Sequence, residues 1–300
     1  MEGFEKALQI RAEQAERIVL SYLPAEEGRE KKIYEAMNYS VKGGGKRLRP
    51  ILMLEAFRLF GGEEEKIHPF MAALEMIHSY SLIHDDLPEM DNDDLRRGRA
   101  TCHVVFGQAM AVLAGDGLLN LAFETAISAV SGAEPEDMAK AAKAACVLAQ
   151  KAGCSGMIGG QVADIEAEEK GNIADDGELL FIQEKKTGAL LEAALMIGGI
   201  MGDADDEQVQ RLKRIGRWVG TAFQIRDDIL DVTGDEAQLG KPIGSDEKND
   251  KLTYVSLHGL EAAGKRVAQL SGQAERELSL LPGDTTFLKA LFSYLIERNK

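Results

Sequence analysis

The stretch IHPFMAALEMIHSYSLIHDDLPEMDNDDLRRGR, residues 67–99, decides the fold, because one helical rhythm runs straight into a dense block of carboxylates. Ile67, Phe70, Met71, Leu74, Ile77, Ser81 and His84 recur at helical spacing, the pattern of a helix with a buried face. Six carboxylates then fall within Asp85–Asp94, and Pro88 prevents the helix from continuing regularly. A charge run is most often a solvated loop. Here the carboxylates cap a buried helix at its C-terminus, where anions are disfavoured, so a functional reason is wanted. Like charges at this density repel unless a cation sits among them. Oxygen ligands with no nearby Cys point to magnesium or manganese, held by one or two carboxylates, waters and a substrate phosphate. Arg96, Arg97 and Arg99 follow at once, residues that fork onto phosphate oxygens. A calcium loop is excluded, since the segment beyond Asp91 lacks the Gly and the closing Glu.

A second acidic cluster, FQIRDDILD (223–231), repeats the theme far downstream. Gln224, Asp227, Asp228 and Asp231 lie on one helical stripe, flanked by Phe223, Ile225, Ile229 and Leu230. Such neighbours place the carboxylates toward an interior cavity, where unpaired charge is costly. Two Asp-rich helices facing across a core would hold magnesium ions bridged by a diphosphate.

Outward from these two stretches, helical periodicity runs through segments near 2–23, 29–42, 48–60, 105–130, 136–154, 157–170, 177–200, 252–280 and 285–298. Short glycine and proline punctuations separate them, and sustained strand alternation is missing. The expectation is an all-α fold: a single large bundle of about ten helices, one domain spanning 1–300. Its 35 basic against 50 acidic residues give a net charge of −15, which disfavours binding to nucleic acid or an anionic membrane. Cys102, Cys146 and Cys154 are odd in number and unpaired in spacing, which fits a reducing cytoplasm. The N-terminus resembles neither a signal nor a transit peptide. The longest apolar run, around 189–201, is cut by Glu192, so no membrane span is expected. GGGKRLRP (43–50) fails the nucleotide P-loop pattern, yet offers Lys46, Arg47 and Arg49 at a helix start, where backbone N–H groups favour anions.

The motifs taken in order resemble a family, the short-chain trans-isoprenyl diphosphate synthases, and most closely the bacterial farnesyl diphosphate synthases. The resemblance covers nearly the whole chain through GGGKRLRP, HSYSLIHDDLPEMDNDDLRRGRATCH, Gly159-Gly160-Gln161, KKTG (185–188), FQIRDDILD, the Gly240-Lys241 and Lys251-Leu-Thr-Tyr steps, and the ending YLIERNK. It implies helices around a deep central cavity (the isoprenoid synthase type), usually a homodimer, and two aspartate motifs binding three magnesium ions, with manganese as an alternative. The implied metal ligands are Asp85 and Asp91 from the first motif and Asp227 from the second, with Asp86, Asp228 and Asp231 supporting. The isopentenyl diphosphate pocket would be Lys46, Arg49, His78 and Arg97. The allylic diphosphate pocket would add Arg96, Lys186, Thr187, Gln224, Lys241 and Lys251, of which Arg96, Lys186 and Lys241 join the aspartates as the catalytic set. Asp91 follows Asp85 by six residues rather than the four of the shortest family pattern, which leaves roles for Glu89 and Asp94 open.

The implied reaction is a head-to-tail condensation. The allylic C–O bond ionises, the isopentenyl double bond attacks the cation, and loss of a proton gives an allylic product five carbons longer. Tyr80 lies five residues, roughly 7.5 Å of helix rise, below Asp85, with Ser81 one turn down on the same face as Asp85. An aromatic there would floor the cavity, and the resemblance makes it a mark of a farnesyl product. Geranylgeranyl or geranyl synthesis within the same family is the alternative. A terpene cyclase fits less well because FQIRDDILD keeps its aspartates, and a non-catalytic partner subunit would be expected to lose aspartates or pocket cations. A metal phosphohydrolase would need histidines beyond the five present.

Overall fold

The computed structural model describes residues 2–62, 64–169, 176–233 and 253–297. Along the chain run α1 (Glu2–Ser21), α2 (Lys31–Val41), α3 (Leu48–Arg58), a 3-10 turn (Glu64–Ile67), α4 (His68–Asp85), α5 (Cys102–Phe106), α6 (Gln108–Ser131), α7 (Pro135–Ala152) and α8 (Met157–Glu169). They continue as α9 (Asp176–Ile182), a π-helix (Gln183–Gly188), α10 (Ala189–Met201), α11 (Asp206–Thr233), α12 (Tyr254–His258), α13 (Leu260–Leu278) and α14 (Thr286–Glu297). The fold is all-α, as its periodicity predicts.

Two helices form the centre. Every residue of α10 is buried, and α4 is buried on nearly all sides down to its acidic end. A helix apolar all round belongs inside other helices. α10 packs against α3, α7 and α11, and α4 against α6, α1 and α3. Glu192, which interrupts the apolar run of α10, is paired there with Lys151 of α7. The main apolar core runs from α1 to α11 and takes in α14, while a smaller cluster joins α11, α13 and α14 through Ile225, Ile229, Val267 and Ile296.

The structure departs from the periodicity in three places. Two expected long helices are each split at a glycine with positive φ, Gly107 at 88° and Gly259 at 79°, values that L side chains rarely adopt. A short antiparallel ladder, β1 (Leu95–Arg96) with β2 (Arg99–Ala100), follows the first acidic block. It turns through Arg97 and Gly98, whose φ values of 55° and 73° are those of a two-residue primed hairpin turn. Lastly, among the described residues the one helix with length and composition sufficient to cross a membrane is α6 rather than the 189–201 segment. α6 carries Asp116 and Glu124, packs on α4, α2 and α7, and leaves Val112, Leu113 and Ile127 exposed.

Candidate active site

The last turn of α4 is the reference point. Asp85 ends the helix and Asp86 caps it. The chain then folds back, so that the Asp91 N–H donates to the Asp85 carbonyl at 2.9 Å. This turn brings Asp85, Asp86 and Asp91 within electrostatic reach of one another. Burial pushes the Asp85 carboxyl up to about 6; Lys186 draws it down, Asp91 raises it further, and Arg96 and Asp86 act in opposite directions behind them. Asp86 is 4% exposed and accepts from Arg96 Nε at 2.6 Å, while Arg96 Nη2 also reaches Asp93 at 3.5 Å.

Two cavities lie along α4 and share Arg49 and His78, and the first of them reaches this turn. The first, about 410 Å³, is lined by Arg49, His78, Tyr80, Ser81, Asp85, Met90, Gln161, Lys186, Thr187 and Leu190, together with apolar residues of α8. It thus unites α4, α8 and the π-helix, whose widened turn presents Lys186 and Thr187. Short π segments of this kind frequently occur at functional sites. Gly160 of α8 makes the approach feasible, since a Cβ there would lie 2.2 Å from the Lys186 backbone nitrogen. Lys186 Nζ donates to Asp164 of α8 at 2.5 Å.

The second cavity, about 340 Å³, is bordered by Gly45, Lys46, Arg47, Arg49, Glu75, His78 and Arg97. The hairpin turn sends Arg97 to the Gly44 carbonyl, joining the hairpin to the glycine loop beside this cavity. Burial and the charges of Arg49, Arg97, Arg47 and Arg96 hold His78 well below the usual imidazole range, so it is neutral at pH 7. In an acidic chain these residues make a concentrated positive pocket.

Thr187 Oγ1 donates to Gln224 Oε1 at 3.1 Å, and Gln224 Nε2 donates to Asp228 at 3.3 Å, which ties the first cavity to the second aspartate motif. Asp228 and Asp231 are buried and Asp227 half-buried. Asp228 also accepts from the Tyr254 N–H at 3.0 Å, fastening α12 to α11. Lys241 and Lys251 lie outside the described residues. Asp164, Glu75 and Gln183 escaped the sequence reading. Asp164 stands four residues beyond Gly160, and that spacing was its only signal.

Among the described residues no three His, Cys, Asp or Glu side chains form a ready metal-ligand set. The donors nevertheless suit a hard divalent cation. Asp85 is a half-buried carboxylate beside two others, and magnesium uses one or two carboxylates, completing its shell with water and phosphate oxygens.

Residues 30–279 match the polyprenyl synthetase family. The chain belongs to that family. It is 43% identical over 285 residues to the farnesyl diphosphate synthase of Micrococcus luteus, covering 95% of this chain and 94% of that one. It is 46% identical over 270 residues to the large subunit 1 of a chloroplastic heterodimeric geranylgeranyl pyrophosphate synthase of Arabidopsis thaliana, covering 89% of this chain and 72% of that one. Among solved structures, an FPP/GFPP synthase from Zymomonas mobilis superposes with a TM-score of 0.85 at 36% identity, over 98% of this chain and 99% of that one.

Proposed function

We propose that this chain is a single-domain, magnesium-dependent prenyltransferase that condenses isopentenyl diphosphate with dimethylallyl and then geranyl diphosphate, releasing farnesyl diphosphate. The observation that carries this reading is the 410 Å³ cavity running from Asp85 and Lys186 at its polar end to the buried ring of Tyr80. Its lining sets the charged Arg49, Asp85 and Lys186 against apolar residues such as Met157, Ile158, Val162 and Leu190. Similarity to farnesyl diphosphate synthases over most of the chain supports the same substrates.

In this reading Asp85, Asp91 and Asp227 hold the magnesium ions, three in all, with Asp86 and Asp231 in support. Magnesium held by these residues would supply neutralisation of the charge building on the departing diphosphate. Lys186 and Arg96 add to that neutralisation, with Thr187, Gln224, Lys241 and Lys251 binding the same group. Asp164 and Asp86 hold the Lys186 and Arg96 cations in place before substrate arrives. Lys46, Arg49 and Arg97 grip the isopentenyl diphosphate, and neutral His78 contributes a hydrogen bond without adding charge. Breaking the allylic C–O bond leaves a delocalised cation, the isopentenyl double bond forms the new C–C bond, and the released diphosphate takes the proton. The apolar α8 wall and Tyr80 keep water from the cation. The enzyme would act as a homodimer in the cytoplasm, covering the exposed Val112, Leu113 and Ile127, with its three free cysteines reduced.

Incubation with magnesium, isopentenyl diphosphate and dimethylallyl diphosphate, with products sized by mass spectrometry, tests this. Fifteen-carbon product that disappears in Asp85→Ala and Asp227→Ala supports it. Twenty-carbon product would move the chain to geranylgeranyl synthesis, the activity named for several relatives. No condensation with either five-carbon or ten-carbon primer would reject the synthase reading.

A further inference from the structure

Arg47 stands between Lys46 and Arg49, yet its side chain has a different fate. It is 3% exposed, and its backbone is left-handed, with φ 48°. Non-glycine residues hold that conformation when their surroundings enforce it. Arg47 Nε donates to Glu16 of α1, Nη1 donates to Glu75 of α4 at 2.8 Å, and Nη2 donates to the Val41 carbonyl at 2.6 Å. Every nitrogen of the guanidinium is therefore engaged by protein, and three segments converge on it: α1, α4 and the end of α2. The other oxygen of Glu75 is buried without a hydrogen-bond partner and borders the same cavity as Arg49 and Arg97. α1 lies outside the residues matched to the family.

We infer that Arg47 is a positioning residue, locked by Glu16 and Glu75 so that the 43–49 loop presents Lys46 and Arg49 to the diphosphate of the non-allylic substrate, and that α1 is thereby part of the support of that pocket. This rests on assigning the 340 Å³ cavity to isopentenyl diphosphate. The left-handed turn at Arg47 sends its own side chain inward, and a loop of three glycines needs such an anchor because glycine supplies no side chain to hold it. Glu75 offsets part of the positive charge gathered by Arg47, Arg49 and Arg97 before any anion arrives.

The test uses the full chain with Glu16→Ala and Glu16→Gln, and with Glu13→Ala, an exposed position on the same helix, as control. Initial rates are measured with each substrate varied in turn. Glu16→Ala is expected to raise KM for isopentenyl diphosphate about tenfold, with KM for the allylic diphosphate changing less than about twofold. Glu16→Gln, which keeps an acceptor for Arg47 Nε, should recover most of the loss, and Glu13→Ala should match the parent. Hydrogen–deuterium exchange of the 43–49 amides in the substrate-free protein reads the clamp independently of catalysis and should quicken in Glu16→Ala alone. A parallel rise in both KM values, an unchanged isopentenyl KM in an active enzyme, or unchanged loop exchange overturns the inference. A parent protein that fails to condense, with faster loop exchange in Glu16→Ala, retains the clamp and rejects only the substrate assignment.

Discussion

Tyr80 is 5% exposed, its ring lies edge-on to His84 at 5.7 Å, and its hydroxyl is buried without a partner. Burial, with the Asp85 charge behind it, pushes that hydroxyl up to about 12, so the side chain remains neutral. Removing it in Tyr80→Ala should shift the product from fifteen carbons toward twenty or more, at a cost of about 3–5 kcal/mol in stability; an unchanged product distribution by mass spectrometry would refute the floor. His78 gives a pH prediction of definite sign. Its folded pKa is depressed, so its contribution to stability is fully present above the unfolded value of 6.5 and is lost as pH falls below it. Each unit below that point should cost up to about 1.4 kcal/mol until the folded group also titrates. Urea unfolding at pH 7 and pH 5 should show a smaller acid loss in His78→Asn than in the parent.

Among elements, the π-helix at Gln183–Gly188 packs on α8 and carries Lys186 and Thr187 to the first cavity. A methyl group at Gly160 would strike the Lys186 nitrogen and the Lys185 carbonyl carbon, at 2.2 and 2.7 Å. Backbone cannot yield as a flexible side chain can. Gly160→Ala should therefore destabilise the protein by about 1–3 kcal/mol and lower kcat by at least about tenfold through displacement of Lys186. Thermal unfolding and steady-state rates would check the two effects separately, and a normal kcat would show that Lys186 tolerates the shift. The sequence showed the KKTG motif and a helix around it. It did not show the widened turn, because a π-bulge depends on what packs beside it and has no period of its own over six residues.

For the whole molecule, the exposed apolar face is informative. Leu113 and Ile127 are 55% and 61% exposed on α6, with Val112 beside them and Val104 and Val105 on the preceding α5. An apolar surface of this kind is ordinarily covered by a partner. If this face pairs two copies, the parent should sediment as a dimer and Leu113→Glu combined with Ile127→Glu as a monomer in sedimentation velocity; a sedimentation coefficient equal to the parent's would show that this face joins no copies.

The amino-acid sequence by itself determined that the protein is helical, since the three- and four-residue period of residues 67–84 and 209–230 is local and repeats over many turns. It also singled out most of the polar groups around the two cavities, because six carboxylates in ten residues and arginines beside glycines are visible without coordinates. Only tertiary structure decided which of those groups pair with one another. Asp86 lies against Arg96, Arg47 is turned inward to Glu16 and Glu75, and Asp164 holds Lys186, although adjacent residues of like charge look alike in a sequence. These partners stand 10, 31, 28 and 22 positions apart in the chain. Such pairings are set by helix packing and burial, where a charge must find its counterion, and no local spacing encodes them.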